Sequence, residues 1–191
     1  MRTFIRLQAL GVLVATALGV WWLGSGPATA AVAIRSNIEV QGATPQQLAL
    51  ARWTSRRFEI AGLVLPRVEI EFHVDPAGCG GHLGFARLGQ VDVCTVLVNA
   101  MSRRALLHEM SHIWLDQNLD AEVREQFLEL RDLPSWNASS EPWALRGYEQ
   151  GAEIMAWALG ERILTPQIPD TDPGRIGAAY EVLTGTGFPP G

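Results

Sequence analysis

Residues 102–117 read Ser-Arg-Arg-Ala-Leu-Leu-His-Glu-Met-Ser-His-Ile-Trp-Leu-Asp-Gln. This pattern predicts a helix from Ser102 to about Gln117. Leu106, Leu107, Met110, Ile113, Trp114 and Leu115 cover much of its circumference, so the helix is expected to be largely buried. His108 and His112 are four residues apart and project from one face about a turn apart, so two imidazoles can reach one metal ion. Glu109 lies beside them, off the line of the pair, where it can reach water on such an ion and act as a general base. Two of the chain's four histidines sit here. The plainer alternative is a helix with two satisfied core histidines. The apolar surroundings weigh against it, because buried imidazoles need polar partners.

The elements on either side set the fold class. Ile38-Glu39-Val40 reads as a short strand. Thr44-Pro45-Gln46-Gln47 reads as a helix start, with Thr as N-cap, Pro at the first helical position and Gln at the third. Leu48, Ala51, Ser55 and Phe58 then share a face, Trp53 falls off it, and the helix is expected to end near Gly62. Strict apolar–polar alternation from Val68 to Asp75 predicts a half-buried strand. Gly78–Gly81 reads as a loop, and Val91–Val98 as another strand. Further helices are expected at Ala121–Arg131, Ala144–Leu159 and Arg175–Leu183, with loops at Asp132–Pro142 and Pro166–Gly174. Helix, strands, then helices is an α+β order, and no second domain is visible.

Two histidines leave a metal site short of a ligand. A third His on an extended motif would need Gly at 115 and His or Asp at 118, where this chain has Leu115 and Asn118. A Glu on a later helix is the other solution. In Tyr148-Glu149-Gln150-Gly151-Ala152-Glu153 the two glutamates share a helical face. We assign Glu149 as the third ligand and Glu153 as the acid that accepts a hydrogen bond from a ligand histidine and fixes its tautomer. Glu153 as ligand and Asp116 as ligand stay open as alternatives. Tyr148, Arg146 and His82 are candidate donors to an oxyanion. Trp136 and Trp143 bracket the loop before the Glu149 helix, with packing or a cleft wall as their roles. His73 falls on the polar face of its strand, where solvation accounts for it.

Leu107–His112 and Glu149–Glu153 together resemble the zincin metallopeptidases of the gluzincin type, in which His-Glu-x-x-His and a downstream Glu bind zinc. About a dozen residues carry the likeness. It implies a minimal zincin-like fold: a small sheet packed on an N-terminal helix and on the active-site helix, followed by C-terminal helices. It also implies Zn2+ as cofactor, a peptide or protein as substrate, and peptide-bond hydrolysis with Glu109 as general base. A non-catalytic zinc-binding protein of the cell envelope and a zinc hydrolase of non-peptide amides in the cell wall are the competing expectations. The absence of lysine and the general look of the chain resemble small exported proteins of actinobacteria.

The N-terminus bears on compartment. Arg2 and Arg6 precede an uncharged apolar run from Ala9 to Leu23, then Gly24-Ser25-Gly26-Pro27, then Ala28-Thr29-Ala30 with small residues suited to signal peptidase. Residues 1–33 are therefore expected to be a signal peptide, with an uncleaved membrane anchor as the alternative, and 34–191 the folded domain. Cys79 and Cys94, the only two cysteines, are expected to form a disulfide, as suits an extracytoplasmic protein. The rival for Cys79 is metal ligation with His82. Across 191 residues there are 15 arginines against 20 acids, a net charge of −5 with no basic cluster, which argues against a nucleic-acid partner. A hydrophobic fraction of 48% fits a packed globule rather than a disordered chain.

Overall fold

The structure, a computed structural model, describes residues 31–189. The expected signal or anchor segment up to residue 30 lies outside the described residues. Val32 and Ala33, the last two positions of the 1–33 segment, open the first strand. Among the described residues no helix is long and apolar enough to cross a membrane.

The architecture is α+β. Five strands, β1 (Val32–Arg35), β2 (Ile38–Gln41), β3 (Val68–Phe72), β4 (Gly84–Arg87) and β5 (Gln90–Val93), form one sheet in the order β1-β2-β3-β5-β4. β2, β3 and β5 run parallel, and the outer strands β1 and β4 pair antiparallel with their neighbours. The helices are α1 (Pro45–Ile60), α2 (Ala100–Asn118), α3 (Ala121–Arg131), α4 (Gly147–Leu159) and α5 (Pro173–Thr184). α1 is the crossover between parallel β2 and β3, and it starts with the expected Thr44 capping box.

One face of the sheet supplies the core. Ile38, Val40, Val68, Ile70, Phe72, Val91 and Val93 are buried together with Leu106, Leu107 and Met110 of α2. The opposite face carries Glu39, Glu69, Glu71 and His73, the alternation that a one-sided sheet requires. α2 runs through the middle of the molecule, against the β4–β5 edge on one side and α4 on the other. It is capped by Asn99 and Ser102, two positions earlier than the sequence suggests. Buried Ser111 donates to the Leu107 carbonyl at 2.7 Å, so its hydroxyl is satisfied within the helix.

β4 lies in a stretch to which the sequence reading assigns no element: it is short, and Gly84-Phe85-Ala86-Arg87 shows no clear period. Two expectations need correction. The strand expected from Val91 to Val98 stops at Val93. There Cys94 is tied to Cys79, the Thr95 carbonyl accepts from buried Gln47 at 2.9 Å, and Val96 and Leu97 turn out to solvent. The helix expected from Ala144 starts at Gly147. Trp143–Leu145 is a short 3-10 turn, and the first N–H groups of α4 are held by loop carbonyls, Gly147 to Ser135 at 3.0 Å and Tyr148 to Trp136 at 2.7 Å. A buried arginine locks the same region. Arg131 Nε donates to Gln150 at 3.0 Å, and its Nη2 to the Asp170 carbonyl at 2.8 Å.

The Cys79–Cys94 disulfide spans 15 residues and closes a loop that contains both β4 and β5. Loop-closure entropy for that length gives about 3 kcal/mol of stabilisation. A Cys79→Ser/Cys94→Ser double variant is therefore expected to lose about 3 kcal/mol in denaturant unfolding, while far-UV circular dichroism in water stays native.

Candidate metal centre

α2 presents His108 and His112 to α4, and α4 presents Glu149 back to them. The Nε2 atoms of the two histidines lie 3.0 Å apart, and Glu149 Oε2 is 3.2 Å from each. Two imidazole nitrogens facing each other and a carboxylate oxygen converge on one point. Four-coordinate zinc with bonds of about 2.0–2.2 Å would space its donors roughly 3.3 Å apart. The donor set and its spacing thus fit a small divalent cation. Both histidines are buried, and both rings are braced by aromatics. Trp143 stacks on His108 at 5.8 Å between centroids, and Tyr148 stacks on His112 at 4.1 Å.

Glu153, one turn after Glu149, reaches the other nitrogen of His108: Oε2 to Nδ1 is 3.2 Å. Its second oxygen accepts from the Gln167 N–H at 2.6 Å and from the Arg104 guanidinium. Sequence reasoning missed Arg104, although it stands four residues before His108 and so on the same face of α2. His112 Nδ1 is buried without a hydrogen-bond partner among the described residues. Asp116, the alternative ligand, lies outside the converging group and accepts from the Tyr148 hydroxyl at 2.9 Å.

Charge follows from these contacts. Burial disfavours a charged His108, but Glu149 and Glu153 overcome it and raise the imidazole to about 9. Burial and the neighbouring His108 charge keep His112 below its ordinary value. Burial also works against a charged Glu149, yet its two histidine partners lower the carboxyl to about 2. Glu153 is likewise penalised by burial and held low by His108, the Gln167 N–H and Arg104. Glu109 behaves oppositely. Burial is the main influence, and with nearby Glu149 it outweighs His108 and the Ala86 N–H to raise the carboxyl to about 7. Burial and Asp116 keep the Tyr148 phenol protonated.

Glu109 sits under β4. A Cβ on Gly84 would lie 2.7 Å from Glu109 Cγ, so only glycine lets the strand pass this close to the acid. β4, α2 and the loop before α4 enclose a cleft of about 910 Å³. His108, His112, Glu109, Glu149 and Glu153 line it, as do His82, Arg146 and Tyr148, the three candidate oxyanion donors. Trp143 is a cleft wall. Trp136 packs inward against Phe127 and Tyr148. His82 is on the rim, and the cysteine near it is in the disulfide, which removes Cys79–His82 ligation.

A second grouping of Glu71, His73 and Asp92 lies on the open face of the sheet. His73 is not simply solvated there. Its Nε2 is 2.8 Å from Asp92 Oδ1, and Arg87 reaches the other oxygen of Asp92 at 3.5 Å.

Comparison with known protein families, with curated proteins and with solved structures finds no match.

A cation at the three donors requires His108 to give up its proton. Calorimetric titration of chelator-stripped protein with Zn2+ at pH 7, in buffers of different ionisation enthalpy, is expected to show release of at least one proton per ion, from His108 and in part from Glu109. A Glu149→Gln/Glu153→Gln variant removes the acids that hold that proton, so its residual binding should release less.

Proposed function

We propose that this chain is an exported zinc-dependent peptidase, with His108, His112 and Glu149 as metal ligands and Glu109 as general base. The observation that carries the reading is the convergence of two Nε2 atoms and one Oε2 at 3.0–3.2 Å, in the same cleft as a carboxylate that is not part of that set. Zinc held there would supply Lewis-acid polarisation of a carbonyl and acidify water.

The chain's own residues do the remaining work. Glu109 Oε takes a proton from water in the cleft and delivers it to the leaving amine. Glu153, held by Arg104 and the Gln167 N–H, fixes which nitrogen of His108 faces Glu149. Tyr148, kept protonated, and His82 line the cleft as candidate donors for a developing oxyanion. β4 ends the sheet, with β5 on one side and no strand on the other among the described residues. Its outer backbone edge borders the cleft, where an extended peptide can add as a further strand. That edge favours a peptide over a small non-peptide amide. A free carboxylate such as Glu109 has no use in a purely structural site with four closed ligands. The disulfide supports action in an oxidising compartment.

Wild-type protein loaded with Zn2+ is expected to cleave peptides from a random library. Glu109→Gln should retain near-stoichiometric zinc by elemental analysis and lose about 100- to 10,000-fold in kcat. Equal turnover by the two proteins would remove Glu109 from the mechanism.

Glu149→Ala should fail to hold zinc through gel filtration, whereas Glu153→Gln should keep the site with about 10- to 100-fold weaker affinity. Near-stoichiometric zinc in Glu149→Ala would overturn the ligand assignment.

A further inference from the structure

Two arginines line the cleft, and they differ in what they hold. Arg104 is committed to the carboxylate of Glu153. Arg146 meets no acid among the described residues. Its Nε donates to the Glu141 carbonyl at 2.9 Å, and its Nη2 reaches the Ser139 carbonyl at 3.4 Å. Those are neutral acceptors on one edge of the guanidinium. Nη1 has no protein partner among the described residues.

A guanidinium stays charged at any ordinary pH, and a half-buried one without a counter-ion is costly. The surroundings make the missing partner more notable, because Glu109, Asp116, Glu149 and Glu153 line the same cleft and none of them pairs with it. Arg146 is also held firmly. It is the N-cap of α4, three residues before Glu149, its carbonyl accepts from the Gln150 N–H at 3.0 Å, and its backbone bridges to Ser135. A fixed, unmatched cation in a cleft beside a reaction centre suits an anionic group brought in by the ligand. The planar fork of Arg favours a carboxylate.

Resting on the peptidase reading above, we propose that Arg146 binds a carboxylate of the substrate, so that the cleft selects peptides carrying an acidic side chain or a free C-terminus near the bond to be cut. Arg146 is thus a specificity determinant rather than an oxyanion donor. Its Nη1 donates to the substrate carboxylate while Nε and Nη2 stay on the loop carbonyls.

The test uses zinc-loaded full-length protein with the Glu109→Gln substitution, which binds peptide without turning it over. Randomised hexapeptide pools are made in four forms, with Glu or Gln at a fixed internal position and with a C-terminal acid or amide. Binding is followed by calorimetry and by intrinsic tryptophan fluorescence. The carboxylate-bearing forms are expected to bind about 10- to 100-fold tighter than the fully neutral form, and the arms show which carboxylate is read. Arg146→Met should abolish that preference, so that acidic and neutral forms bind alike, and Arg146→Lys should keep part of it. Equal binding of all four forms, no binding of any, or a preference that survives Arg146→Met overturns the proposal. If Arg146→Met fails to fold, as judged by circular dichroism and zinc content, the Lys variant and the peptide-side comparison decide. Turnover is measured separately on protein with Glu109 intact. Carboxylate preference without turnover refutes the peptidase reading and leaves the anion subsite standing, whereas turnover without preference refutes the subsite alone.

Discussion

Two helices that cross in the interior can carry charged groups on their facing sides only if those groups satisfy one another. α2 and α4 meet that condition through His108, whose two ring nitrogens are each 3.2 Å from a different glutamate of α4. Removing either acid would leave a buried polar atom unmatched, at a cost on the order of 1–3 kcal/mol. Apolar packing surrounds them, from Leu107 and Met110 on α2 to Ile154 and Met155 on α4. The polar contacts run between the facing sides, from His108 to Glu149 and Glu153, and Arg104 and the Gln167 N–H complete the outer end by satisfying the second oxygen of Glu153.

The other half of the cleft depends on a close approach. β4 can lie over Glu109 because position 84 has no side chain, and the disulfide keeps the segment holding β4 next to β5. Between these walls the aromatic pair Trp143 and Tyr148 stacks on the two histidines. Stacking fixes the ring planes, and Glu153 fixes the nitrogen of His108 that points inward. Orientation is thus divided among residues that do not themselves converge on the central point, which is how a site of this kind is kept preorganised.

Much of this was readable in the sequence, for reasons specific to each part. The Thr44 cap, the alternation from Val68 to Phe72 and the extent of α3 are local signals, and local signals survive folding. The spacing of His108 and His112, and of Glu149 and Glu153, predicted shared faces because helical periodicity is rigid. What failed was non-local. β4 exists because β5 pairs with it, not because Gly84-Phe85-Ala86-Arg87 favours a strand. The strand from Val91 ends early because a disulfide and Gln47 redirect the chain. α4 starts late because loop carbonyls, not a side chain, cap it. His73 found Asp92 across strands that pair only in the folded sheet. Arg104 had a legible spacing, but its role depends on an acid 49 positions away.

Charge accounting links the candidate metal centre to Glu109. His108 as a cation and Arg104 balance Glu149 and Glu153, so this buried group is neutral as it stands. Glu109 is then a surplus negative charge in a poorly solvated place, and its carboxyl is pushed up to about 7 accordingly. Exchange of the His108 proton for a dication adds one positive charge to the same group. That charge is the one an ionised Glu109 would balance. A cation held at the three donors would therefore favour the ionised, proton-accepting form of Glu109. A fixed positive charge at Arg146 stands outside this balance, because its neighbours are carbonyls rather than acids. It is left to be matched by something the protein does not itself provide.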